Sequence, residues 1–280
     1  MAQSETTWSR EAVLSRFTLE GKVALVTGGD VGIGEAITMA FASVGANVGI
    51  AALDLVRAER TAATVRQFGG RALAIAADVT DGAAVEHMIE AMVREFGGID
   101  VLVNNVGGFT RRVPPFELDT ALWHEVIDRN LTSAFLASKA AGRVMKERGG
   151  GNIINMDSAA CDRPYPENLA YDAAKAGIVS ITGSLAVYFA PYNIRVNAIA
   201  PGRIAASPQA FAAGGERAGK LGIPLARLGR AEDVALAAVY LASPASAYVT
   251  GTVLQVQGGP HFGGTILEQA AEAWEADRKG

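Results

Sequence analysis

With 280 residues, half of them hydrophobic, the chain can bury a large core and stays within the size range of one α/β domain. Its net charge of -4 offers no basic face, so no nucleic-acid partner is expected, and no apolar stretch approaches the ~18 residues of a membrane span, so none with a membrane either. A single cysteine, Cys161, excludes an intramolecular disulfide framework, and His87, His124 and His261 are too far apart for zinc-ligand spacing, so no metal is expected.

Residues 1–18 are polar, with Trp8, Val13, Leu14 and Phe17 as the sizeable apolar groups, and read as an arm or short helix. Their alternating charge without an apolar h-region does not resemble a secretory signal, which places the protein in the cytoplasm. From 19 to 259 the pattern is one nucleotide-binding domain. Aliphatic or β-branched runs at 22–27, 46–52, 71–76, 99–103, 151–156, 193–199 and 252–256 predict strands. The intervals carry apolar residues at helical spacing, as in Val85, Met88, Ile89, Met92 and Phe96 after the N-cap candidate Asp81. Strands alternating with helices imply right-handed crossovers: an α/β, Rossmann-type, doubly wound parallel sheet of seven strands with helices on both faces. Residues 260–280 form a tail with a helical stripe of Leu267, Ala270, Ala271 and Trp274.

In such a sheet the ligand lies beyond the carboxyl ends of the strands. The first strand runs into Thr27-Gly28-Gly29-Asp30-Val31-Gly32-Ile33-Gly34, a glycine-rich turn that opens a helix and suits a diphosphate. Asp78, before Val79, is placed either to accept from an adenine amino group or to cap a turn. Asn104 and Asn105, ahead of Gly107, tie strands together or touch a cofactor. Strand five ends in Met156-Asp157-Ser158. Tyr171 and Lys175 follow at i and i+4, on one face of one helix. A free phenol, with pKa ~10, is too weakly acidic to act as a base near neutrality, and a neighbouring ammonium favours its ionised form. Asn130 is positioned to anchor a water and pass protons towards Lys175.

These residues match a known family. Thr-Gly-x-x-x-Gly-Ile-Gly at 27–34, Asn-Asn-x-Gly at 104–107, Asn130-Leu131, Ser158, Tyr-x-x-x-Lys at 171–175 and Arg195-Val196-Asn197 leading into Pro201-Gly202 occur in order, and the chain resembles the short-chain dehydrogenase/reductases from Gly21 to Gly259. The resemblance implies hydride transfer between a nicotinamide cofactor and a ketone or secondary alcohol. Tyr171 would be general acid or base, Lys175 would hold the ribose and depress the phenol's pKa, Ser158 would bind the substrate oxygen, and Asn130 would keep the relay in place. The cofactor contacts implied are Gly28, Asp30, Val31, Gly32, Ile33, Gly34, Leu53, Asp78, Val79, Asn105, Gly107, Tyr171, Lys175, Pro201, Gly202 and Ile204. A homotetramer or homodimer is implied too, through helices at about 120–148 and 170–190.

The sequence departs from the family pattern at Asp157, Ala206 and Gln257, where serine, threonine and aspartate are usual. At the end of strand two, Ala52 and Leu53 replace the acid that selects NAD, while Arg57 is within reach of a phosphate, so NADP(H) is favoured over NAD(H). The substrate region spans Ala159 to Leu169, with Pro164, Tyr165 and Pro166 as a wall, and Arg203 to Pro224, with a lid at Ser207 to Gly219. Arg111, Arg112 and Arg163 are available to an anionic group. Carrier-protein reductases of the family display basic residues on the interface helices. Arg148 fits that pattern and Tyr192 does not, so a free small ketone or alcohol ranks above a 3-oxoacyl thioester. A nucleotide-binding regulator or scaffold without turnover is the reading from another class.

Overall fold

The computed structural model describes residues 8–108, 111–162, 165–205, 208–213 and 222–259. Arg163, Pro164, Ala206, Ser207, residues 214–221 of the Arg203–Pro224 segment and the 260–280 tail lie outside the described residues. The strands are β1 (Val23–Thr27), β2 (Asn47–Ala52), β3 (Ala72–Ala76), β4 (Val101–Asn104), β5 (Gly151–Met156), β6 (Ile194–Pro201) and β7 (Val253–Val256), in one parallel sheet ordered β3-β2-β1-β4-β5-β6-β7. The helices are α1 (Arg10–Leu14), α2 (Gly32–Ser43), α3 (Leu55–Gln67), α4 (Gly82–Phe96), α5 (Thr120–Ile127), α6 (Ser133–Glu147), α7 (Leu169–Phe189), α8 (Pro208–Ala213) and α9 (Ala231–Ala242).

Every residue of β1 is buried because each face of the sheet is covered. Val23 and Leu25 pack with Val85, Met88 and Met92 of α4 and with Ala137, Ala141 and Met145 of α6. Ala24 and Val26 point the other way, to Ile37 and Phe41 of α2 and to Val234, Ala238 and Leu241 of α9. Side chains set the helix starts: Asp54 accepts from the Val56 and Arg57 amides at the head of α3, and Asp81 accepts from Ala83 at the head of α4. Such caps are worth about 1 kcal/mol each. The chain leaves β1 towards β2 and β3, then returns to β4 on the other side of β1. The strand order therefore reverses between β1 and β4, the point where this architecture leaves room for a ligand.

One expectation changes. Residues Pro166–Tyr192, which include α7, are long and apolar enough to cross a membrane by length and composition. One face of the helix packs against β5 and β6 and carries Asp172 and Lys175 into the interior, while Val179, Val187 and Tyr188 on it are exposed.

Candidate active site

The glycine turn is a cradle shaped by missing side chains. Gly28 and Gly32 take φ of +61° and +60°, left-handed values that disfavour other residues. Gly34 packs onto the turn so closely that a Cβ there would run into the Gly28 carbonyl oxygen and lie 2.6 Å from Asn105 Nδ2. Val31, the N-cap of α2, supplies no side-chain cap, so the opening N–H groups of the helix face the turn without one. A narrow glycine cradle ahead of an uncapped helix start fits the diphosphate of a dinucleotide.

The next strand end braces this cradle. Asn105 Nδ2 donates to the Thr27 and Gly28 carbonyls, both at 3.1 Å, and its amide donates to Thr27 Oγ1 at 3.0 Å. Asn104 ties β4 to β5, donating to Asn155 Oδ1 and to Ser138 Oγ at 2.8 Å. Both amides thus join strands, the structural half of what the sequence allowed.

Tyr171 and Lys175 lie on the first turns of α7, with Lys175 Nζ 5.6 Å from the Tyr171 ring centroid. Lys175 is only 3% exposed, and its ammonium donates to the Met156 carbonyl at 2.7 Å. A cation buried to that degree needs such a partner. Asn130 sits in a π-helical turn, Asp128–Thr132, between α5 and α6. Its Nδ2 donates to the Val126 and Gly108 carbonyls, and its Oδ1 accepts from the Gly108 amide at 2.8 Å. Gly107 completes the junction: a Cβ there would lie 2.7 Å from Asn130 Oδ1 and 3.0 Å from Lys175 Nζ. Ser158 is half-buried two residues beyond Met156, and its Oγ accepts from the Ala160 amide. The other expected contacts stand at strand ends. Leu53 is exposed beyond β2, Val79 is buried beyond β3, and exposed Asp78 accepts from the Thr80 amide and hydroxyl, which hold its carboxyl below the usual range. Pro201, the last residue of β6, pairs with Val256; beyond it the Gly202 amide donates to the Val256 carbonyl and Ile204 bridges to Gly229.

Known proteins share this frame. The family model described as enoyl-(acyl carrier protein) reductase matches residues 28–261. Glucose 1-dehydrogenase 2 of Bacillus subtilis is 38% identical over 245 residues, 86% of this chain and 95% of that protein. The 3-oxoacyl-[acyl-carrier-protein] reductase of Haemophilus influenzae is 39% identical over 243 residues, 86% of this chain and 98% of that one. A 7α-hydroxysteroid dehydrogenase solved with NADH and 7-oxo glycochenodeoxycholic acid superposes with a TM-score of 0.81 at 31% identity, over 88% of this chain and 96% of that one. The chain belongs to the short-chain dehydrogenase/reductase family. It is a nicotinamide-dependent oxidoreductase acting on a CH–OH/C=O pair.

Two features of this dehydrogenase/reductase were missed in the sequence. One is the partner of Arg57. Its Nε lies 3.2 Å from Asp30 Oδ2 and 3.1 Å from Asp54 Oδ2, so the guanidinium is already ion-paired. A carboxylate inside a glycine turn was the available signal. The other is Asp172, beside Tyr171 and only 8% exposed. Its Oδ2 accepts from the Tyr165 amide at 2.7 Å, while Oδ1 is buried with no partner among the described residues. Asp172 thereby anchors the loop after β5. That loop is stapled to the loop after β4 by the Val113 amide donating to Glu167 and by Arg112, 4.8 Å over the Tyr165 ring.

Burial pushes the Asp172 carboxyl above its ordinary value, and the Tyr165 hydrogen bond opposes the shift. A raised folded-state pKa means that the group's contribution to stability is fully present below the unfolded value of ~3.9 and is lost as pH rises through the folded value. Asp172→Asn keeps the acceptor for Tyr165 without the buried charge. It should be more stable than the parent at pH 7, on the order of 1 kcal/mol, with the gain vanishing near pH 4. Thermal melts of both proteins across that range check it, and a variant less stable at pH 7 than at pH 4, each relative to the parent, contradicts it.

Proposed function

We propose that the enzyme interconverts a free small ketone and its secondary alcohol, with Tyr171, Lys175, Ser158 and Asn130 as the working residues. The observation that carries this reading is that Asn130 Oδ1 and Lys175 Nζ both crowd Gly107, where a Cβ would lie 2.7 and 3.0 Å from them, while Lys175 Nζ lies 5.6 Å from the Tyr171 ring centroid. The nicotinamide cofactor, when bound, supplies or accepts the hydride. The Ser158 hydroxyl donates to the substrate oxygen and aims it at Tyr171. The Tyr171 hydroxyl gives its proton to that oxygen in reduction and takes it back in oxidation. Lys175, fixed by the Met156 carbonyl, favours the phenolate and presents its remaining N–H groups to the ribose. Asn130, locked by Gly108 and Val126, holds the relay end of the site in place. Residues 28–34 seat the diphosphate, Asp78 and Val79 the adenine end, and Pro201, Gly202 and Ile204 the nicotinamide end.

A free substrate is favoured over a carrier-bound thioester by the state of Arg148. Its Nη1 donates to the Gly97 carbonyl at 2.8 Å and its Nη2 lies 3.9 Å from Asp100, so its charge is engaged within the subunit. The sugar named in the Bacillus relative supports a small hydroxylated substrate. Phe135 on α6 and Val179, Val187 and Tyr188 on α7 are exposed, which supports a homotetramer or homodimer through these helices. A chain with one cysteine suits the reducing cytoplasm, where we place it. The sequence favours NADP(H), because Ala52 and Leu53 stand where an acid would select NAD and Arg57 is within reach of a phosphate; the ion pairs that Arg57 makes with Asp30 and Asp54 support NAD(H) instead.

The test takes the oligomer isolated by size exclusion with light scattering and follows absorbance at 340 nm with NADH and NADPH against ketones, polyols and a 3-oxoacyl thioester. Turnover of small ketones or polyols is expected. Turnover of the thioester alone would favour the carrier-dependent reading, and binding of cofactor without any turnover would favour the regulator.

A further inference from the structure

We infer that Asp30, acting through Arg57 and helped by Asp54, makes this enzyme discriminate against the 2'-phosphate of NADP(H). The inference rests on the nicotinamide-cofactor reading above. β1 and β2 are in register at Thr27 and Ala51, and the Gly28 amide donates to the Ala51 carbonyl at 2.7 Å, so the glycine turn and the start of α3 meet across one edge of the sheet. In this architecture the adenosine ribose is read at that edge, by an acid from the end of the second strand. Here that strand ends in Ala52.

The acid arrives from the turn instead. The Asp30 side chain is 5% exposed, unusual for a carboxylate in a turn, and its Oδ2 lies 3.2 Å from Arg57 Nε while accepting no aligned hydrogen bond among the described residues. Asp54 Oδ2 lies 3.1 Å from the same nitrogen, and its Oδ1 is committed to capping α3. One guanidinium is therefore paired with two carboxylates, and the cluster carries a net charge of about -1. A phosphate monoester carries roughly -1.5 to -2 at pH 7. It would arrive beside two carboxylates at a cation whose charge they already offset, whereas a 2'-hydroxyl is neutral and brings a donor. Asp30 is thus a positioning residue: it holds the cation and sets the sign of the local field, with no demand that it touch the cofactor.

The two cofactors differ only in that phosphate, so the ratio of their dissociation constants isolates the effect from any general defect in the fold. Titration of the intact enzyme by its intrinsic fluorescence should give NADH binding at least about tenfold tighter than NADPH, ~1.4 kcal/mol. Asp30→Asn should lower that ratio at least about fivefold, mainly by tightening NADPH. If Asp30→Asn fails to melt cooperatively, Asp54→Asn carries the test, because it keeps the cap acceptor and also releases Arg57; it should move the ratio the same way. A parent enzyme that prefers NADPH overturns the inference, as does a folded variant that weakens both cofactors equally. Failure to bind either cofactor overturns the nicotinamide reading and this one with it, whereas binding both without discrimination overturns this one alone.

Discussion

Replacing Tyr171 by phenylalanine is expected to lower kcat by about 10²–10⁴-fold and to leave cofactor dissociation constants within about threefold. The substitution removes one oxygen and nothing else. The ring remains against Val113, Leu122, Val126 and Ala170, so the packing that seats the start of α7 is unchanged. Lys175 keeps its bond to the Met156 carbonyl and stays available to a ribose. What disappears is the group that gives or takes the proton at the substrate oxygen, and water cannot replace it with the same positioning. Steady-state kinetics together with cofactor titration separate the two effects. Turnover within about tenfold of the parent would assign the proton to another group, and an equal loss of cofactor affinity would make the role of Tyr171 structural.

Gly34→Ala is the second large effect, and here two physical tendencies oppose each other. In a helix interior alanine is favoured over glycine by about 1 kcal/mol, so propensity alone predicts a gain. Yet the new methyl would collide with the Gly28 carbonyl oxygen and crowd Asn105 Nδ2, itself fixed by bonds to Thr27 and Gly28. Backbone atoms braced in this way cannot swing aside as a flexible side chain would, and overpacking of this kind costs about 1–3 kcal/mol. Sterics should win: α2 must lift away from the turn, and cofactor affinity should fall at least about tenfold while the melting temperature drops. Calorimetry and fluorescence titration check both. A variant with the parent's affinity would remove the cradle from the account of cofactor binding.

Much of the frame was legible because it depends on local rules. The strands fall within two residues of where the apolar runs place them, and Asp81 caps α4 as its position before the helical stripe implies. Where the boundaries moved, pairing moved them: β6 continues to Pro201 because Ala200 and Pro201 pair with Gln255 and Val256 of β7. The π-helical turn around Asn130 had no sequence signature, since it arises beside bonds to Val126 and Gly108, and Gly108 belongs to a distant strand end.

By itself the sequence determined the doubly wound sheet, the glycine turn and the pairing of Tyr171 with Lys175 on one helix face. Each follows from a period of two or 3.6 residues or from glycine's freedom at positive φ, which neighbours along the chain suffice to set. The tertiary structure alone decided that the Met156 carbonyl holds Lys175, that Gly107 leaves room for the Asn130 and Lys175 side chains beside it, and that Arg57 is ion-paired to Asp30. Those contacts join segments far apart in the chain, and which atoms meet depends on strand register and on the depth to which each helix packs.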